Sequence, residues 1–184
     1  LAGEHRYYHS IMKYGKCVMA HPSDLAPALI ALKAKAVIAT SDGKRQMPFQ
    51  DFFLGPNHFT ETILKSDEFL AEVRVPNHRD GTYQRFLKHR IRHSVDFSLS
   101  SVAVVAQISQ GVCEDIRIVL GGVAPFPFKA SEAEEVIRGR TLDDGIISKA
   151  AEAAMEGAKP LPMNRYKVDL TKALVRRVLT SIWQ

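Results

Sequence analysis

Two neighbouring polar residues, Ser23 and Asp24, stand directly before an apolar run and could take part in ligand binding. The apolar residues that follow have helical spacing: Leu25, Ala28, Leu29 and Leu32. The exposed N–H groups at a helix start attract a phosphate or a hydroxyl-rich ligand. Because a carboxylate repels phosphate, Asp24 suits a ribose or ribityl hydroxyl, and Ser23 with the backbone N–H groups suits an anion. A helix cap without any ligand is the alternative interpretation.

Lys88 is the second candidate, because it falls in a predicted strand whose other residues supply apolar surface: Tyr83, Phe86 and Leu87. One interpretation is a solvated lysine. The other places its ammonium group beside a flavin ring or a phosphate, where positive charge stabilises an anionic reduced ring. The local sequence leaves both interpretations open.

Side-chain chemistry of other kinds is not indicated. The seven histidines are dispersed, and the acidic residues and cysteines show no metal-ligand spacing. The pair Gly121-Gly122 lacks the spacing of a P-loop or a dinucleotide fingerprint, so a sharp strand-to-helix turn explains it better. With no nucleophile elbow either, no catalytic residue is predicted. The pattern favours a cofactor carrier, a binding module or an assembly element.

Composition and charge narrow the class of protein. The net charge of +5 could suit nucleic acid, but the basic residues are scattered apart from residues 88–93, which lack interleaved aromatic residues. We therefore predict no nucleic-acid partner. No apolar run is long enough to span a membrane, and the first six residues do not form a signal peptide. Cys17 and Cys113 lie far apart, which favours a cytoplasmic protein with reduced thiols over a disulfide.

The first half of the chain predicts a helix and a small antiparallel sheet. The helix begins near Asp24, residues 36–40 and 45–48 form a hairpin around Asp42-Gly43, and residues 72–75 form a further strand. Residues 76–81 are polar and break the pattern. We place a domain boundary there.

The second half predicts strands followed by helices. Strands are expected at 82–92, 98–108 and 113–120, with a tight turn at 109–111. Helices are expected at 130–138, 143–157 and 164–182, with Gly139 and Gly157 at positions suited to C-caps. An α+β fold follows, in which a three-stranded antiparallel sheet packs on a three-helix layer.

Eight segments, in one order, resemble the FAD-carrying medium subunit of molybdenum hydroxylases, the xanthine dehydrogenase and carbon monoxide dehydrogenase family. They are residues 8–11, 17–26, 48–53, 63–70, 86–88, 96–103, 120–125 and 160–167. The resemblance implies that residues 1–76 are a second FAD-binding subdomain and residues 77–184 the C-terminal domain. It also implies electron transfer from iron–sulfur clusters to an external acceptor, in an oxidoreductase.

The resemblance implies a role for five residues in binding FAD. Ser23 and Asp24 would meet the pyrophosphate-to-ribityl region, Phe69 and Leu70 the adenine, and Lys88 the flavin. Molybdopterin is expected on a large partner subunit and [2Fe–2S] clusters on a small one. The glycine-rich loop that holds the pyrophosphate in this family has no counterpart here, so either a companion chain supplies it or this polypeptide binds flavin poorly. The alternative function is a flavin-free module that docks the other subunits.

Overall fold

Two antiparallel sheets, one helix between them and a layer of three helices make up the fold in this computed structural model, which describes residues 3–12, 15, 17–93 and 95–183. In chain order the elements are α1 (Leu25–Ala31), β1 (Lys35–Thr40), β2 (Gly43–Pro48), a 3-10 helix (Phe49–Phe52), β3 (Phe69–Arg74), β4 (Thr82–His89), β5 (Ser100–Ser109), β6 (Val112–Gly121), β7 (Phe128–Lys129), α2 (Ser131–Ile137), β8 (Arg140–Thr141), α3 (Asp144–Ala153) and α4 (Tyr166–Trp183).

The smaller sheet has the strand order β2-β1-β3 and contains the predicted hairpin. Thr40 pairs with Gly43, so Ser41 and Asp42 form the two-residue turn. Gly43 has a φ of +134°, which side-chain-bearing residues rarely adopt. Strand β3 begins at Phe69, three residues before the predicted start, because Phe69 and Leu70 pair with Ala39 and Ile38 of β1.

The larger sheet has the order β4-β5-β6-β7, with β8 paired to β6. The predicted sheet had three strands, and β7 and β8 are additions of two residues each. Segments this short carry no periodicity, and only their pairing with β6 makes them strands. The predicted turn between β5 and β6 is confirmed, with positive φ at both Gln110 and Gly111.

The two faces of β5 enter different cores, as the period of two along a strand requires. Val102, Val104 and Ala106 join the larger core with the three helices of the layer. Ala103 and Val105 join a smaller core with α1 and the smaller sheet. Helix α1 therefore lies between the two sheets and packs on β5 and β6.

The helical layer agrees with the prediction, although each helix is somewhat shorter than expected. Helix α3 ends at Ala153 and continues as turns to Gly157, which has a φ of +74°. Gly139 has a φ of +75° after α2, so both glycines have the backbone of a C-cap. Within the described ranges, no helix is long and apolar enough to cross a membrane.

The first described residues pack against the second half of the chain. Ile11 and Met12 are fully buried in the larger core. Their N–H groups both donate to Val123 O, at 2.8 and 2.9 Å, and Lys159 N donates to Ile11 O at 2.8 Å. The larger core is thus completed by residues from the start of the chain.

A candidate cofactor site beside helix α1

A row of three residues crosses the larger sheet beneath α1. Lys88 on β4 pairs with Ser101 on β5, and Ser101 pairs with Gly121 on β6. A Cβ atom at position 121 would overlap Ser101 Oγ and lie 3.0 Å from Pro27 Cγ of α1. Glycine is therefore what allows the helix to approach the sheet at this point.

Lys88 forms an ion pair with Asp24, the residue directly before α1. The side chain of Lys88 is 15% exposed and that of Asp24 is 38% exposed, so Lys88 is not the solvated lysine of the first interpretation. The second carboxylate oxygen, Asp24 Oδ1, is buried and has no hydrogen-bond partner among the described residues. A hydroxyl or N–H group of a ligand could satisfy it.

Ser23, rather than Asp24, provides the side-chain cap of α1. Its Oγ accepts a hydrogen bond from Ala26 N at 3.1 Å, whereas Asp24 makes no side-chain cap. The hydroxyl of Ser23 is thus engaged with the helix. The helix start predicted near Asp24 is confirmed.

A cavity of about 290 Å³ opens next to this helix start, and we call it the Tyr8 cavity. Its lining comes from five separate parts of the chain: Tyr8, Met19, Ala20, His21, Pro22, Glu61, Phe97, Ser98 and Gly122. Gly122 has a φ of +71°, and a Cβ atom there would lie 2.9 Å from Ser98 O. The turn after β6 therefore depends on glycine and forms one side of the cavity.

His21 lines the Tyr8 cavity, and its ring nitrogen atoms are unpartnered. The residue is 8% exposed, and neither Nδ1 nor Nε2 has a hydrogen-bond partner among the described residues. The ring packs edge-on against Phe53, with centroids 5.1 Å apart, and Nδ1 lies 3.6 Å from Glu61 Oε1, beyond hydrogen-bond distance. Burial lowers the pKa of His21, and the Glu61 carboxylate only partly opposes this shift. At neutral pH the imidazole is therefore uncharged, with one donor and one acceptor nitrogen.

Ser98 adds another unpartnered polar atom. The residue is 3% exposed, and its Oγ has no partner in the described part of the chain. Ser101 Oγ, in the row beneath α1, is in the same condition. Buried polar atoms are nearly always hydrogen-bonded in proteins, so this concentration indicates a place where a ligand or water completes the structure.

Aromatic rings form the outer wall of the Tyr8 cavity. The rings of Tyr8 and Phe97 are in edge contact with centroids 5.9 Å apart, and Phe97 is 57% exposed. Asp96 connects the two aromatic residues, because its Oδ1 accepts hydrogen bonds from Tyr8 OH at 3.3 Å and from Phe97 N at 2.9 Å. Arg92 Nε in turn lies 3.2 Å from Asp96 Oδ2. The wall is partly open to solvent and held by a charged network.

Of the five residues predicted to bind a cofactor, three lie together and two lie elsewhere. Ser23 and Asp24 follow directly after Pro22, which lines the Tyr8 cavity, and Lys88 on β4 pairs with Asp24. Phe69 and Leu70 lie on β3 of the smaller sheet and do not line that cavity. Phe69 is 63% exposed, whereas Leu70 packs against the smaller core. Their role beside an adenine stays a prediction.

The predicted site residues include none of those that line the cavity, among which are Tyr8, His21, Phe97 and Ser98. All four fall inside the segments that resembled the family, 8–11, 17–26 and 96–103. The resemblance was therefore a usable signal. What the sequence did not contain was the geometry, since residues 8, 21 and 97 meet only after folding.

Family models match both halves of the chain. One described as "CO dehydrogenase flavoprotein C-terminal domain" matches residues 85–182. Another, described as "FAD binding domain in molybdopterin dehydrogenase", matches residues 15–78. The first match in chain order ends at residue 78, within the polar segment 76–81, and the other begins at residue 85. The domain boundary itself stays a prediction.

Individual relatives agree with these models. The glyceraldehyde dehydrogenase medium chain of Sulfolobus acidocaldarius is 30% identical over 87% of this chain and 57% of the relative. The carbon monoxide dehydrogenase medium chain of Hydrogenophaga pseudoflava is 30% identical over 92% of this chain and 59% of the relative. The chain therefore spans less than two thirds of the length of either relative.

A solved structure shares the fold. It is carbon monoxide dehydrogenase from Hydrogenophaga pseudoflava lacking the Mo-pyranopterin moiety of its cofactor, with a TM-score of 0.77 and 32% identity. The match covers 87% of this chain and 59% of the other. Because the C-terminal model alone covers more than half of the 184 residues, and the fold and relatives agree with it, the chain belongs to the family of FAD-binding medium subunits of molybdenum hydroxylases.

Proposed function

We propose that this chain holds FAD at the Tyr8 cavity and the Asp24–Lys88 pair, and that it relays electrons from iron–sulfur clusters to an external acceptor. The observation that carries this proposal is a set of buried, unpartnered polar atoms in two places. His21 Nδ1 and Nε2 and Ser98 Oγ belong to residues that line the cavity, and Asp24 Oδ1 and Ser101 Oγ lie at the start of α1 and in the row beneath it. Such atoms are costly unless something bonds to them. A polar cofactor is the occupant that the family membership supports.

The residues present suit the chemistry of FAD. The flavin ring is flat and aromatic with a hydrogen-bonding edge, which matches a cavity with an aromatic wall at Tyr8 and Phe97 and polar atoms at His21 and Ser98. The ribityl chain carries hydroxyl groups, and each can donate a hydrogen bond that the unpartnered Oδ1 of Asp24 accepts. We assign the adenine to the exposed side of β3 at Phe69; Leu70, on the next position of the strand, faces the core.

FAD, when bound, supplies the exchange of one or two electrons, and the side chains of this subunit bind, orient and tune it. Lys88 offers an ammonium group to the site. Because Asp24 pairs with it, the two residues together add no net charge. His21 stays neutral at physiological pH and can donate from one nitrogen and accept at the other. Tyr8 and Phe97 shield one side of the cavity from water.

The assembly follows from the names of the relatives, which are medium chains of larger dehydrogenases. We infer a large partner subunit with molybdopterin, where substrate oxidation would take place, and a small subunit with iron–sulfur clusters. The further contacts to FAD come from outside these 184 residues, either in the same polypeptide or in a separate chain. The oxidoreductase activity belongs to this assembly.

Filling the cavity tests the FAD proposal. In the purified complex, Ser98→Leu places an apolar side chain among the cavity atoms, so we expect FAD affinity to fall by about tenfold or more, equivalent to about 1.4 kcal/mol. Flavin content is measured by visible absorbance, and the released nucleotide is identified by chromatography. Ser66→Leu is the matched control, because Ser66 is exposed in a loop outside the cavity.

The same purification distinguishes FAD binding from the alternative function, a flavin-free docking module. Wild-type complex that carries molybdenum and iron but no flavin would contradict the FAD proposal and support a flavin-free docking module. If flavin is present, its reduction by the reduced iron–sulfur subunit tests the electron relay. A flavin that stays oxidised in that mixture would refute the relay while leaving FAD binding intact.

A further inference from the structure

Lys167 is a fully buried lysine whose ammonium group contacts backbone carbonyls only. It lies at the start of α4 and has no exposed surface. Its Nζ donates three hydrogen bonds: to Tyr7 O at 3.0 Å, to His9 O at 2.9 Å and to Gly122 O at 2.6 Å. No ion pair within the described ranges includes it.

This position is unfavourable for a lysine on general grounds. Burying an ammonium group without an opposite charge is costly. The first turn of a helix also disfavours a cation, because the helix dipole is positive there. Burial accordingly lowers the pKa of Lys167 to about 7. The three hydrogen bonds to carbonyls offset part of this cost. The location of these carbonyls therefore indicates what Lys167 does.

The three acceptors lie beside two walls of the Tyr8 cavity. Tyr7 O and His9 O are the carbonyls on either side of Tyr8, whose ring forms the aromatic wall with Phe97. Gly122 O belongs to the glycine turn that forms another side. One side chain thus joins two cavity walls whose residues are more than a hundred positions apart, without lining the cavity itself.

Other residues already hold residues 3–12, the first segment, in place. Attachment of that segment therefore does not explain why Lys167 is buried here. Asn164 Nδ2 donates to His9 O and Ser10 O, both at 3.2 Å, and Tyr166 OH donates to Arg6 O at 3.0 Å. Neither of these side chains has a bond to Gly122 among the contacts that the structure describes. Ile11 and Met12 donate to Val123 in the same turn, and Lys167 adds a direct link from Gly122 to the two carbonyls that flank Tyr8.

We propose that Lys167 is a positioning residue for the Tyr8 cavity, which sets the distance between the Tyr8 wall and the Gly122 turn. An ammonium group has three donors in a tripod and matches three carbonyls, whereas a planar guanidinium does not. The effect on FAD rests on the proposed function. The effect on the cavity walls does not depend on it.

The experiment compares three variants in the complex: Lys167→Met, Asn164→Ala and Lys149→Met. Methionine keeps the length of the side chain without its donors. Asn164→Ala removes the bonds to His9 O and Ser10 O, together with the bond that Leu161 N donates to Asn164 Oδ1, but it removes no bond to Gly122. Lys149 is an exposed lysine on α3. For Lys167→Met we expect FAD affinity to fall by about tenfold and the visible circular dichroism of bound flavin to change. Asn164→Ala should have a smaller effect on both, and Lys149→Met none.

A second measurement works without FAD. In this 184-residue chain, NMR records the contact between the Tyr8 and Phe97 rings and the amide exchange of Gly122 and its neighbours. We expect Lys167→Met to weaken the ring contact and speed exchange at these positions, with α4 still protected. Should Lys167→Met not fold, Lys167→Gln, which keeps part of the donor set, takes its place and carries the same expectations.

Two outcomes would overturn the proposal. An unchanged ring contact and unchanged local exchange show that Lys167 does not position the walls. Exchange that speeds up uniformly over the whole protein, with the flavin signal of the remaining folded fraction unaltered, shows a general stabilising role instead. If wild-type protein binds no FAD, the proposed function fails on its own, and the NMR measurement still decides the role of Lys167.

Discussion

At the residue scale, the site is marked by basic groups in surroundings that disfavour their charge. His21 is buried with unpartnered nitrogen atoms, and burial lowers its pKa. Lys167 is buried without a carboxylate partner in the described residues, and burial lowers its pKa to about 7. Lys88, by contrast, has Asp24 as its partner. His21 and Lys167, two basic groups with lowered pKa values, therefore line or flank the same cavity, as is typical of functional sites.

The pKa of Lys167 predicts how stability depends on pH. The unfolded chain keeps this proton up to the ordinary value of 10.5, whereas the folded protein releases it near 7. Between these values the unfolded state binds more protons, so the free energy of unfolding rises with pH, by at most about 1.4 kcal/mol per unit from this group. Urea unfolding of wild type and Lys167→Met at pH 7, 8 and 9 measures the difference in slope.

In that series we expect the wild type to gain stability relative to Lys167→Met as pH rises. Lys149→Met, which removes an exposed lysine, should follow the wild type. Parallel curves for wild type and Lys167→Met would mean that the folded protein keeps the proton on Lys167 well above pH 7.

At the element scale, the position of α1 is decided by its contact with β6. Pro27 packs over Gly121, and the same glycine leaves room for Ser101. Since Asp24 lies one turn before Pro27, the contact also places Asp24 above Lys88. A seven-residue helix has little stability of its own, so this packing holds it.

Gly121→Ala tests that contact. The added methyl group would overlap Ser101 Oγ and approach Pro27 Cγ, so α1 must shift, at a cost of about 1–3 kcal/mol in the free energy of unfolding. Gly55→Ala is the control, because a Cβ atom there meets nothing within 4 Å, and we expect a change of about 0.5 kcal/mol or less. Equal unfolding midpoints for the two variants would refute the close approach of α1.

At the scale of the whole molecule, the two sheets and the first segment form one connected structure. The smaller core combines α1 and the smaller sheet with residues of β5 and β6 from the second half of the chain. The larger core contains Ile11 and Met12 from the first half. Each core therefore uses both halves, and we expect the described parts to unfold together.

Ile11→Ala tests this connection. Although Ile11 stands near the start of the chain, it has no exposed surface and lies in the larger core. We expect a loss of about 2–5 kcal/mol in the free energy of unfolding, as for other buried aliphatic residues. Ile91→Ala, at a residue that is 49% exposed, is the control. A small effect of Ile11→Ala, similar to that of the control, would show that the first segment does not contribute to the core.

The sequence by itself determined most of the elements and the family. Helical and alternating spacing predicted α1, the hairpin and the strands and helices of the second half, because local periodicity decides which face of an element is apolar. The ordered resemblance identified the medium-subunit family, which the comparisons confirm. The sequence pattern did not predict the two short strands β7 and β8, because residues 128–129 and 140–141 become strands only by pairing with β6.

The tertiary structure alone decided which residues meet. Lys88 contacts Asp24 across 64 positions, and Lys167 contacts Tyr7 across 160. Local spacing assigns each of these residues to a face of its own strand or helix. It does not say which other face will lie opposite, because that depends on how all the elements pack together. For this reason the sequence identified Ser23, Asp24 and Lys88 one by one, and only the fold brought His21 and Ser98 to one cavity and Lys167 behind its walls.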